Sequence, residues 1–207
     1  MIAVRALVVL VVSMIAAAAS AQELGRDYTR LTLPQAPGAP AKVEVLEFFS
    51  WGCSHCAEMH PLITEWEKQL PANAVVVKVP ISLGHREWGQ LVRAYYALEA
   101  MGELQRLDGA VFDAIHKERQ LLFTEDRIAQ WVAAQGVNEQ KFRAEFNSTN
   151  VSTKASRAEQ LAHDYRVNQT PQLAVDGKYI VRGQTHADSL AIARQLIDKA
   201  AAERKGG

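Results

Sequence analysis

The 207-residue sequence predicts an α/β fold, a sheet domain interrupted by an inserted block of helices. Three observations carry this reading. Two apolar, β-rich runs flank a helical pattern between Val43 and Pro80. From Arg86 to about Asn147 only helical signals occur. Beyond them, two short apolar runs straddle Asp176-Gly177, a two-residue hairpin signal, and a last helical stripe follows.

Each element has a local reason. Val43 to Phe49 is mostly apolar and reads as a buried strand. Ser54 to Leu70 places Met59, Ile63, Trp66 and Leu70 at helical spacing. Ala74 to Pro80 reads as a second strand. Trp88, Leu91, Val92, Tyr95 and Leu98 form an apolar stripe that stops at Met101-Gly102, and Leu104, Leu107, Val111, Phe112 and Ile115 form another. Thr124 and Asn138 are N-cap residues for two further helices, the first ending at Gly136. A helix is expected from about Val151 to Tyr165, then strands at Leu173–Val175 and Tyr179–Val181. In the closing helix Leu190, Ala193, Leu196 and Ile197 face inward. Thr32 to Pro40 is a proline-rich connector into the first core strand. No internal repeat is visible.

The first 21 residues read differently from the rest. One early charge at Arg5, an apolar core from Ala6 to Val12 and the small-residue ending Ala19-Ser20-Ala21 describe a secretory signal peptide removed before Gln22. A retained anchor is the alternative, but the apolar stretch is shorter than the roughly 20 residues that span a bilayer. No cysteine follows it, so lipidation there is excluded. The mature chain is expected in an oxidising space outside the cytoplasm.

Charge excludes two classes of partner. The chain carries 23 basic and 23 acidic residues, and loss of Arg5 leaves a net charge of about −1. No basic field suits nucleic acid and no polybasic run suits an anionic membrane.

The sequence contains two cysteines, and both fall in Cys53-Ser54-His55-Cys56, directly after the strand-like run ending at Phe49. A Cys-x-x-Cys where a strand hands over to a helix is the arrangement of reversible dithiol–disulfide chemistry. Position on the helix divides the labour. Cys53 stands at or just before the first turn, where unpaired N–H groups and the positive dipole end favour an anion, so its thiol pKa is expected to fall. Cys56 lies one turn deeper and shielded. Cys53 is then the sulfur that substrate thiolates attack, and Cys56 is the resolving partner. His55 can place an N–H or a positive charge near the Cys53 sulfur.

Metal and haem sites fail on spacing. Ala57 stands where a c-type haem motif needs histidine. Cys53, Cys56 and His60 lack a second Cys/His pair to complete a zinc tetrahedron. His85, His116, His163 and His186 read as surface or capping residues. No cofactor and no metal are expected.

The stretch Val45-Leu-Glu-Phe-Phe-Ser-Trp-Gly-Cys-Ser-His-Cys56, with Thr170-Pro171 before a hairpin ending Asp-Gly-Lys, resembles the DsbA family of periplasmic thiol–disulfide oxidoreductases. The likeness spans essentially the whole mature chain. It implies a thioredoxin-like fold: a signal peptide at 1–21, a thioredoxin-like domain built from 22–83 and 150–207, and a helical subdomain at 84–149. It departs at Ser54, where the family's motif has proline. Pro61 stands where thioredoxin kinks its active-site helix.

The resemblance also implies roles. Glu47 is the buried acid that this superfamily keeps beneath the cysteines, able to relay the Cys56 proton, and Lys78 on the neighbouring strand is its natural partner. Thr170-Pro171 resembles the cis-proline segment that faces the cysteines and pairs with an extended substrate. Trp51, Ser54 and His55 would line the surrounding substrate surface. The activity implied is that of a monomeric disulfide donor acting on unfolded exported proteins in the periplasm and reoxidised by a DsbB-like, quinone-linked membrane protein. The alternatives are an isomerase or reductase, or a peptide-binding chaperone that keeps the motif as a relic. A dimeric isomerase is disfavoured because only about 20 residues separate Gln22 from the first core strand.

Overall fold

Seven buried residues in a row, Val43 to Phe49, make β2 (Val43–Phe49) the centre of the molecule. The computed structural model describes residues 22–206, and the expected signal peptide lies outside them. The elements run β1 (Tyr28–Arg30), β2, α1 (Ser54–Glu67), β3 (Ala74–Pro80), α2 (Arg86–Ala100), α3 (Leu104–His116), α4 (Glu125–Ala134), α5 (Glu139–Phe146), α6 (Thr149–Asp164), β4 (Gln172–Val175), β5 (Tyr179–Val181) and α7 (His186–Gly206).

The sheet order is β1-β5-β4-β2-β3. Only β2 and β3 run parallel, joined through α1, and Glu47 stands opposite Lys78 in their register. β2 pairs antiparallel with β4 on its other side. Because side chains alternate along a strand, β2 serves two cores. Val43 and Val45 pack with Met59 and Ile63 of α1 and Leu196 and Ile197 of α7. Leu46 and Phe48 pack with Ala158, Ala162 and Tyr165 on the α6 side. A third cluster joins Phe49, Trp51, Cys53 and Cys56 to Leu91, Leu98, Val111, Ile128 and Phe142 of the helical block. The Cys-x-x-Cys segment therefore sits on the seam between sheet and helices.

The local signals behave as physical chemistry dictates. The Thr124 and Asn138 side chains accept from the backbone N–H groups of Arg127 and Lys141. At the hairpin Asp176 and Gly177 both take positive φ, 56° and 66°, as a type I′ turn requires. Gly177 is needed for a second reason: a Cβ there would lie 1.9 Å from the Gln35 carbonyl oxygen of the proline-rich connector.

Two expectations change. The first helix ends at Glu67 rather than Leu70, because Gln69 and Leu70 turn back in short i→i−3 bonds to Trp66 and Glu67 ahead of Pro71. β1 was not expected at all. It is three residues long and exists through its ladder to β5, with Tyr28 opposite Val181.

Candidate functional site

Cys53 is the N-cap of α1, with φ −91° and ψ 121°, and no side chain caps the helix there. The free N–H groups of the first turn are thus left facing its sulfur. Cys53 is 9% exposed and Cys56 is fully buried, and both are thiols. A hydrogen bond from the Cys56 thiol is the largest influence on Cys53. It joins the Thr170 side chain and the Cys56 and His55 backbone N–H groups in pushing the Cys53 pKa down to about 5, against the opposing effect of burial. Burial, then the hydrogen bond to Cys53 and that sulfur's negative charge, push the Cys56 thiol far up. One sulfur is an available thiolate and the other a reluctant one.

The chain brings a distant segment against this pair. Thr170-Pro171 is cis, and the Cys53 Sγ lies 3.4 Å from the Thr170 carbonyl oxygen, which it can donate to only while it is a thiol. The expected meeting of residues 53 and 170 is present. A groove of about 1010 Å³ runs from it, lined among others by His55, Thr170, Pro171, Gln172, Arg182 and His186.

Ser54 is exposed as the first residue of α1. The His55 imidazole points elsewhere than expected. Its Nδ1 lies 3.3 Å from Glu58 Oε2, so the group from His55 that supports the Cys53 sulfur is its backbone N–H.

Beneath the cysteines lies a charged cluster that differs from the expected Glu47–Lys78 pair. Glu47 is 3% exposed, and its Oε2 has no hydrogen-bond partner among the described residues. Lys78 instead places its Nζ 2.6 Å from Asp108 Oδ2. The physical reason is reach. Lys78 stands beside Glu47 in the ladder, but its long side chain extends to α3, where Asp108 offers a second carboxylate already accepting from Trp51 Nε1 at 2.8 Å. Burial pushes Glu47 up to about 7. The positive charge of Lys78 opposes that rise, and the negative charge of Asp108 adds to it. Burial acts to lower Lys78, but the two carboxylates outweigh it and hold its pKa above the ordinary value.

Trp51 requires a second correction. It is 2% exposed, its indole tied to Asp108 and its carbonyl 2.8 Å from His116 Nε2, so it is not part of a substrate surface. Its role is to anchor the loop ahead of Cys53 to α3. Trp88, expected in the helical core, covers the same loop: a Cβ on Gly52 would come within 2.4 Å of Trp88 Nε1.

Sequence reasoning missed Asp108, His60 and His116. Asp108 had a readable signal. It falls on the apolar face of its helix, four residues from Leu104 and from Phe112, where a carboxylate is expensive unless paired. His60, half-buried against Phe112 at 4.9 Å between ring centres, is lowered in pKa by burial against the pull of Asp108.

The sequence profile of the DSBA-like thioredoxin domain matches residues 44–195. The chain belongs to this family. Two curated relatives are each called thiol:disulfide interchange protein DsbA. The one from Bordetella parapertussis is 38% identical over 176 residues, covering 83% of each chain. The one from Pseudomonas aeruginosa is 35% identical over 193 residues, covering 92% of this chain and 91% of its own. Among solved structures, Pseudomonas aeruginosa DsbA superposes with a TM-score of 0.82 at 34% identity, over 87% of this chain and 95% of that one. The Xylella fastidiosa oxidoreductase DsbA gives 0.83 at 28% identity, over 87% and 98%. The DsbA-like chain is thus a thiol:disulfide oxidoreductase on a thioredoxin-like fold.

Proposed function

We propose that this DsbA-like chain works as a disulfide donor to unfolded exported proteins in the periplasm. The observation that carries the reading is the asymmetry of the two sulfurs, Cys53 held down to about 5 and Cys56 pushed far up. A substrate thiolate attacks Cys53 of the Cys53–Cys56 disulfide, forming a mixed disulfide and expelling the Cys56 sulfur, which must take up a proton. Glu47, raised to about 7, supplies it at neutral pH and is kept poised by Lys78 and Asp108. A second substrate thiolate then attacks the substrate sulfur and releases Cys53 as a stable thiolate. Because the reduced form is the one the thiolate stabilises, the equilibrium runs toward giving the disulfide away.

Substrate meets the protein along the groove beside Thr170 and Pro171, with Ser54 and His55 at its edge, and loose selectivity follows from backbone recognition. The protein acts as a monomer with two units, 22–83 with 150–207 and the helical subdomain 84–149. A DsbB-like, quinone-linked membrane protein restores the disulfide, and residues 1–21 direct export.

The test is the redox equilibrium of residues 22–207 with glutathione, read by tryptophan fluorescence. An oxidising constant, together with a trapped mixed disulfide in Cys56→Ser and none in Cys53→Ser, is the expected result. A constant near that of thioredoxin would make the protein a reductant.

A further inference from the structure

A cluster of ligand-type side chains stands at the rim of the groove, built from two elements far apart in sequence. His55 and Glu58 are one turn apart at the start of α1, and His186 is the first residue of α7. The Glu58 Oε2 atom lies 3.3 Å from His55 Nδ1 and 3.4 Å from His186 Nε2. All three ligand atoms fall within 4.8 Å of one another. A tetrahedral zinc site with bonds of about 2.0–2.1 Å has ligand-to-ligand edges of about 3.3 Å. Two of the three edges therefore already have the required length. The third, between the two imidazole nitrogens, is no longer than 4.8 Å, and His55 is exposed.

The chemistry of the set is that of a zinc or copper site. Two imidazoles are borderline ligands that calcium and magnesium do not favour, and the harder carboxylate is one that zinc also takes. Three protein ligands on an exposed rim leave the fourth position to water, the open form of a zinc site.

We propose that His55 Nδ1, Glu58 Oε2 and His186 Nε2 bind a divalent transition-metal ion of the zinc class at the edge of the substrate groove. Because His55 and His186 both line that groove, an ion held between them would stand on its wall and narrow the path of a substrate. The site is independent of the disulfide-donor reading and needs neither sulfur.

The test uses the full mature protein in its disulfide form, so that no thiolate competes for metal. Zn²⁺ is titrated against a chromophoric chelator, with Mg²⁺ as control. One zinc ion per chain is expected and no magnesium, with affinity falling more than about tenfold in both Glu58→Gln and His186→Ala, since loss of a direct ligand should exceed the 10–100-fold range of outer-shell changes at its lower end. Zinc should also slow oxidation of a dithiol peptide by the unsubstituted protein and not by His186→Ala. Absence of saturable zinc binding, or an unchanged affinity in either variant, overturns the site. These binding outcomes are independent of whether the protein proves to be a donor or a reductant.

Discussion

Lys78 Nζ sits 2.6 Å from Asp108 Oδ2, although the strand register sets Lys78 opposite Glu47. The consequence falls on Glu47. Its carboxyl is buried with an oxygen left without a partner among the described residues, so protonation is its cheapest way to remain inside. A carboxyl raised to about 7 can either give or take a proton at neutral pH, which a carboxylate directly paired with lysine could not do.

Glu47→Gln should separate that role from folding. Thiol exchange at about pH 7 should slow, because the Cys56 sulfur loses its proton donor. Stability should change in the opposite sense. A carboxyl with a raised folded pKa is comfortable below its unfolded value of 4.5, and its contribution is lost as pH rises from there through about 7. The variant should therefore match the parent at about pH 4 and exceed it at about pH 8 by up to roughly 3 kcal/mol. Urea denaturation at the two pH values checks this, and equal exchange rates would remove Glu47 from the mechanism.

Asp108→Asn keeps an acceptor for Trp51 but leaves the Lys78 ammonium inside without its carboxylate. Breaking a buried pair from one side costs about 3–5 kcal/mol. Partial exposure of Lys78 places the expected loss near the lower end. Equilibrium denaturation measures it, and combination with Lys78→Met should recover part of the loss.

The Cys53 thiol should titrate with a midpoint of about 5 in the reduced protein, seen as thiolate absorbance that disappears in Cys53→Ser. For a depressed pKa the stabilisation is fully present above the unfolded value of about 9 and is lost as pH falls through about 5. The reduced form should thus gain on the oxidised form in melting temperature as pH rises from about 5 to about 9. A gap between the two forms that stays constant with pH would contradict the thiolate assignment.

Ser54→Pro should be accepted by the fold, since the first helical position is the one where proline costs little. The N–H groups that support Cys53 come from His55 and Cys56, so no bond to the sulfur is lost. Greater rigidity should make the protein more oxidising, by on the order of 10–30 mV against glutathione, the latter being a tenfold change in equilibrium constant. An unchanged or less oxidising potential counts against any tuning by Ser54.

Local and periodic features were legible because their causes are local. The Cys-x-x-Cys at a strand-to-helix junction, the two N-caps, the Asp176-Gly177 turn and the buried run of β2 each follow from neighbours a few residues away. Glu47 stood out because a charge in an apolar strand has few explanations. The Cys-x-x-Cys pair, the order of the elements from β2 onward and the place of Cys53 at a helix start could all be read from the chain alone. Tertiary structure alone decided what each long side chain reaches. Lys78 goes to Asp108, Trp51 turns inward to the same carboxylate, and the His55 imidazole turns to Glu58 and His186. Those choices depend on which helix faces which strand, and a flexible side chain takes whichever partner the packing brings within its reach. β1 belongs to the same class, since three residues become a strand only when an edge is there to receive them.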